Sequence, residues 1–97
     1  MPVIWTAQAA HQLAEIHEFI ARDRREAADR QILLIYRAAE SLAVFPEKGR
    51  PGRIPGTREL VIAGTSYLIG YRIRKSSVRI LGILHGARRW PSHFPEH

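Results

Sequence analysis

The apolar positions of this 97-residue chain keep a helical period in the first half and a strand period in the second. Val3-Ile4-Trp5 is a short apolar run and a candidate strand. Thr6 follows as a candidate N-cap, after which Ala9, Leu13, Ile16 and Ile20 recur at helical spacing, with Phe19 widening the stripe. Asp23-Arg24-Arg25-Glu26 reads as an Asp variant of a capping box with Glu26 at N3. Beyond it Ala28, Ile32, Ile35, Ala39 and Leu42 step by four and three, the rhythm of a packing seam. Pro46 cannot continue a helix, so the second one runs from roughly Arg24 to Phe45, about 33 Å long. The short link between the two makes them an antiparallel hairpin over about 7–45.

Pro46, Pro51 and Pro55 then alternate with Gly49, Gly52 and Gly56, and Lys48, Arg50 and Arg53 make this 46–57 loop basic. It is not a phosphate-binding loop, because no Gly-Lys-Ser/Thr closes it. From Arg58 the period is 2: Arg58 to Ala63 is one run, Tyr67 to Arg74 a second and Val78 to His85 a third. Gly64-Thr65-Ser66 and Lys75-Ser76-Ser77 are the turns between them. The sequence therefore predicts an α+β chain of order β-α-α-β-β-β, the N-terminal helical hairpin packed on a small antiparallel sheet. The β-meander covers 58–86 and a tail 87–97, all within a single domain 1–97. Alternation assigns Tyr67, Ile69, Tyr71, Ile73, Val78, Ile80 and Leu84 to the face under the helices. It assigns Leu68, Leu81 and Ile83, mixed with Arg72, Arg79 and His85, to the other face, the natural binding face.

Fifteen Lys and Arg against nine Asp and Glu leave a formal net charge of +6, which favours an anionic partner. The sequence has no cysteine, which excludes disulfides, thiolate metal sites and a cysteine nucleophile. No charged leader and apolar run opens the chain, and its longest apolar stretch, Ile32 to Tyr36, is far below the ~18–20 residues that span a bilayer. A cytoplasmic protein without a membrane partner is expected.

Chemistry-bearing residues are mostly cationic. His11 and His17 lie on different helical faces, and His93 and His97 flank Pro95, so no metal site is expected. Glu59 stands beside Arg58 at a strand start and reads as a salt-bridge member rather than a base. No Gly-x-Ser-x-Gly elbow exists. The stronger constellation is Arg58, Arg72, Arg74 and Arg79 on the sheet, continued by His85-Gly86-Ala87-Arg88-Arg89-Trp90 and by His93-Phe94. Arginine grips phosphates bidentately, histidine moves protons near neutral pH and aromatic rings stack on bases. Such a set could cleave RNA through its 2′-hydroxyl without a metal or cofactor, or bind an acidic protein surface. For Trp5 and Trp90, packing is the simpler role.

Five blocks also carry a family resemblance. Trp5-Thr6-x-x-Ala9 with Leu13-x-x-Ile16 comes first, then Phe45-Pro46-x-x-Gly49-Arg50 and Gly56-Thr57-Arg58-Glu59-Leu60. Tyr71-Arg72 and Val78-x-Ile80-x-x-x-Leu84-His85-Gly86 complete the series. From about Trp5 to Pro91 the chain resembles the RelE/ParE toxin superfamily, the toxic halves of bacterial type II toxin–antitoxin pairs. The resemblance implies a helical hairpin against a small antiparallel sheet, and a growth-inhibiting protein neutralised by a cognate antitoxin. It also implies that operator DNA is met only through that antitoxin.

Two targets divide the superfamily. RelE-like members cut messenger RNA on the ribosome and carry an Arg three residues before the Tyr of the Tyr71-Arg72 block; here that residue is Leu68. ParE-like members poison DNA gyrase, and Gly56-x-Arg58 and Ile80-x-x-x-Leu84-His85 look closer to them. The expectation is thus gyrase inhibition, with a ribosome-dependent, metal-independent mRNA endoribonuclease (an mRNA interferase) as the alternative. As a nuclease, the chain would use His85, Arg88 and Arg72. The target-binding set would be Arg58, Arg72, Arg79, Arg88, Arg89 and Trp90.

Overall fold

In the computed structural model, which describes residues 1–86 and 91–96, two helices lie on one face of a five-stranded sheet. The elements are β1 (Val3–Trp5), α1 (Ala7–Ala21), α2 (Arg25–Ser41), β2 (Arg50–Pro51), β3 (Arg58–Val61), β4 (Tyr67–Arg74) and β5 (Ser77–His85). Their order across the sheet is β1-β5-β4-β3-β2. The expected antiparallel sheet is mixed, because β1 runs parallel to β5. The helical hairpin carries the chain away between these strands, which lets them point the same way. Thr6 N–H continues that ladder to Ile80 O at 3.1 Å. A further strand, β2, lies inside the basic loop and pairs Arg50 and Pro51 with Glu59 and Arg58.

Thr6 caps α1 as its position predicts: its hydroxyl accepts from Ala9 N–H at 3.2 Å and donates to Ile80 O at 2.8 Å. One side chain thus joins the start of α1 to the sheet. The predicted capping box at Asp23 is absent. Asp23 N–H still bonds back to Ile20 O at the end of α1, and the N-cap of α2 is Arg24, whose side chain makes no capping bond. Helix α2 also stops at Ser41 rather than Phe45, because Pro46 disfavours a helical residue before it and the last turn opens. The seam itself is as read. Ala28, Ile35, Ala39 and Leu42 are buried, and Ile32 packs against the same core. Trp5 stacks on Tyr36 with ring centroids 6.4 Å apart, a packing role for this tryptophan.

The core joins these helical residues to Leu60, Ile62, Ile69, Tyr71, Val78, Ile80 and Ile83. Its register contains one irregularity. Gly70 faces Gly82 but Tyr71 faces Ile80, so Leu81 is an extra residue in β5, a bulge. The bulge shifts the alternation by one, which corrects the expected faces. Ile83 and His85 fall opposite Ile69 and Tyr67, under the helices, whereas Leu84 falls opposite Leu68 on the far side.

Candidate functional site

The far face of the sheet collects arginines. Arg72 and Arg79 are register partners on β4 and β5, and Arg74 follows Arg72 on the same face. Glu59 faces Gly70 there, with Arg50 beside it on β2. Buried Glu59 accepts from Arg50 Nη2 at 3.1 Å and from Arg53 N–H at 2.8 Å, and Arg53 Nε stands 3.6 Å from it. That carboxylate therefore folds the basic loop against the sheet, the salt-bridge role its neighbours suggested. Gly56, at φ 80°, brings the loop over Arg72: a Cβ there would lie 2.5 Å from Arg72 Nη1.

Between the pairs Leu68/Leu84 and Arg72/Arg79, the floor of this face is bare backbone. Gly70 and Gly82 oppose each other, and the ring of Phe94 lies on both; a Cβ on either glycine would come within 2.9 Å of that ring. Glu96 Oε1 then reaches Arg72 Nε at 3.1 Å and Arg74 Nη1 at 3.5 Å. The Nε atoms of Arg72 and Arg79 are buried, and among the described residues neither has an aligned hydrogen-bond acceptor. Two guanidinium groups side by side, of which Arg72 is ion-paired to Glu96 and Arg79 forms no ion pair among the described residues, form a site for carboxylate or phosphate oxygens.

The remaining residues singled out from sequence go elsewhere. Arg58 lies on the helix side opposite Tyr71, and its Nη1 donates to Gly49 O at 2.7 Å, which braces the basic loop. His85 meets Tyr67 edge-on at 5.5 Å and lines a cavity of about 450 Å³ with Glu15, Glu18 and Phe19 of α1 and with Arg22, which caps that helix. His85 and Arg72 thus occupy opposite faces, separated by the sheet. Arg88, Arg89 and Trp90 lie outside the described residues. His93 is exposed and bonds Ser92 Oγ at 3.2 Å. Among the described residues no group of three His, Asp or Glu could hold a metal ion. The reading from sequence missed the contacts of Phe94 and Glu96. The paired glycines on neighbouring strands were the signal, since side-chain-free positions in a strand often mark a close approach.

Comparison with known proteins agrees with this architecture. Residues 3–90 match the family model described as the ParE toxin of the type II toxin–antitoxin system parDE. A protein of Sinorhizobium fredii named as a toxin, Y4kP, is 45% identical over 87 residues, covering 90% of each chain. Toxin RelE2 of Caulobacter vibrioides is 38% identical over 86 residues, covering 89% of this chain and 96% of its own length. Among solved structures, the chromosomal ParDE system from P. aeruginosa superimposes with a TM-score of 0.79 at 25% identity, covering 88% of this chain and 95% of the other.

Proposed function

The chain belongs to the ParE toxin family of type II toxin–antitoxin systems, and from that premise we propose that it inhibits DNA gyrase by binding through its arginine face rather than by cutting RNA. One observation carries this reading: Arg72 and Arg79 lie on one face and His85 on the other. Cleavage at a 2′-hydroxyl needs a proton-transfer group within hydrogen-bond reach of the phosphate that the arginines hold. Both described carboxylates on the arginine face, Glu59 and Glu96, are engaged by arginines. A binding surface asks only for cations and shape, and both are present.

The family implies a cognate antitoxin. A charge of +6 suits an acidic antitoxin segment, and Leu33, Tyr36, Val44 and Phe45 expose apolar surface along and beyond α2 for its hydrophobic side. The toxin then acts in the cytoplasm, and its operator is met through the antitoxin.

The deciding experiment compares the purified chain in a gyrase supercoiling assay and in a reconstituted translation reaction carrying a defined message. Inhibited supercoiling with intact message is expected. Arg79→Ala should weaken the inhibition by about tenfold, the effect of losing one central contact. Message cleavage that His85→Ala abolishes would overturn the reading in favour of a ribosome-dependent endoribonuclease.

A further inference from the structure

A connector between α2 and β3 has no need of a buried charge, yet the 46–57 loop is built around one. The Glu59 side chain is 3% exposed, and both its oxygens are spent on the loop. Oε1 accepts from Arg50 Nε at 3.3 Å and Nη2 at 3.1 Å, and Oε2 accepts from Arg53 N–H at 2.8 Å, with Arg53 Nε 3.6 Å away. Burying a carboxylate is expensive, and an apolar residue of similar size often serves stability as well. What the carboxylate adds is direction. It holds the Arg50 fork in place while the Arg50 and Arg53 side chains stay 57% and 52% exposed. The backbone beneath them is fixed too: Gly52 N–H donates to Thr57 O at 2.7 Å, and Thr57 Oγ1 to Ile54 O at 2.6 Å. Arginines already held in place lose less freedom on binding than unrestrained ones.

We propose that Glu59 is a positioning residue for target binding, and that the Arg50 and Arg53 pair it aims is a second contact, at the β2 edge of the sheet, for acidic side chains of gyrase. This rests on the gyrase reading for its partner and on the loop geometry for the contact itself. Strand β2 lies two strands from β4, roughly 10 Å by strand spacing, so one partner surface meets Arg79 and the edge pair together. Recognition at this edge depends on orientation rather than on summed charge. The two dependencies have opposite signs for one change. Removing the Glu59 charge makes the chain more cationic, which strengthens a plain electrostatic attraction. It also releases the arginine forks, which weakens a positioned contact.

The test measures inhibition of gyrase supercoiling by the full chain and its variants, and in parallel the inducer level that arrests growth at matched expression. Glu59→Gln offers one acceptor oxygen to two arginines. Where circular dichroism shows it folded, it should inhibit about tenfold more weakly than the parent. Arg50→Lys keeps the charge but loses the fork, and should weaken inhibition about threefold. A merely structural role would lower the urea midpoint and leave the potency of the folded chain unchanged. A merely electrostatic one would make Glu59→Gln the stronger inhibitor, and either result overturns the proposal. If Glu59→Gln does not fold, Arg50→Lys decides alone, and parental potency refutes positioning. If the parent spares gyrase, the target reading falls instead and growth arrest decides: a higher inducer requirement for Arg50→Lys upholds the edge contact, and an equal one refutes it.

Discussion

The hydroxyl of Tyr71, buried between sheet and loop, donates to Pro46 O and accepts from Gly49 N–H, each at 2.8 Å. With Arg58 on Gly49 O, these bonds set where the basic loop begins and so where Arg50 and Arg53 stand. Tyr71→Phe leaves a buried N–H and C=O without partners, and should cost about 1–3 kcal/mol in urea denaturation while making the 46–57 loop easier to cleave with trypsin. Gly49→Ala should be as damaging, since its Cβ would lie 2.7 Å from the Tyr71 ring and 2.8 Å from Glu59 O. Burial also raises the Tyr71 pKa above that of a free phenol. The unfolded chain therefore loses this proton first. The contribution of Tyr71 is complete below about pH 10 and falls as pH rises further, and a urea midpoint that stayed flat across that range in parent but not in Tyr71→Phe would contradict this.

Secondary-structure elements differ in how openly the sequence displays them. The α2 seam was legible because Ala28, Ile32, Ile35 and Ala39 recur at helical spacing along the side the helix buries, although Leu33, Leu34 and Tyr36 carry apolar surface onto its exposed side. The bulge was not. Ile80-Leu81-Gly82-Ile83-Leu84 is apolar or small throughout, so a strand covered on both faces leaves alternation nothing to read, and one inserted residue passes unseen. The turn between β4 and β5 is likewise compact: Lys75 at φ 49° and Ser76 at φ 62° form a two-residue hairpin loop in a conformation that favours Asn and Gly. Ser76→Gly should raise stability by about 0.5–1 kcal/mol by removing left-handed strain, read as a higher urea midpoint at an unchanged slope. At the start of α1, Thr6→Ala should cost about 1 kcal/mol as a lost cap, measured the same way.

The whole molecule distributes its charge unevenly. One sheet face gathers Arg50, Arg72, Arg74 and Arg79 around Glu59, while the cavity by His85 carries Glu15 and Glu18. Gly70→Ala should expel Phe94 and expose this arginine face. Amide exchange in β4 and β5 around Gly70 and Gly82 should then speed up while the α2 core exchanges as before, and uniform acceleration would instead indicate global destabilisation. The two helices, the basic loop, the three long strands and the cationic character were all readable from spacing and composition, because each depends on local periodicity or on a sum over residues. The side of the sheet on which His85 falls, the partner of β1 and the docking of Phe94 and Glu96 on Gly70, Gly82 and Arg72 were not readable. Those depend on register between segments far apart in the chain, and a single bulge residue reverses a face without altering any local pattern.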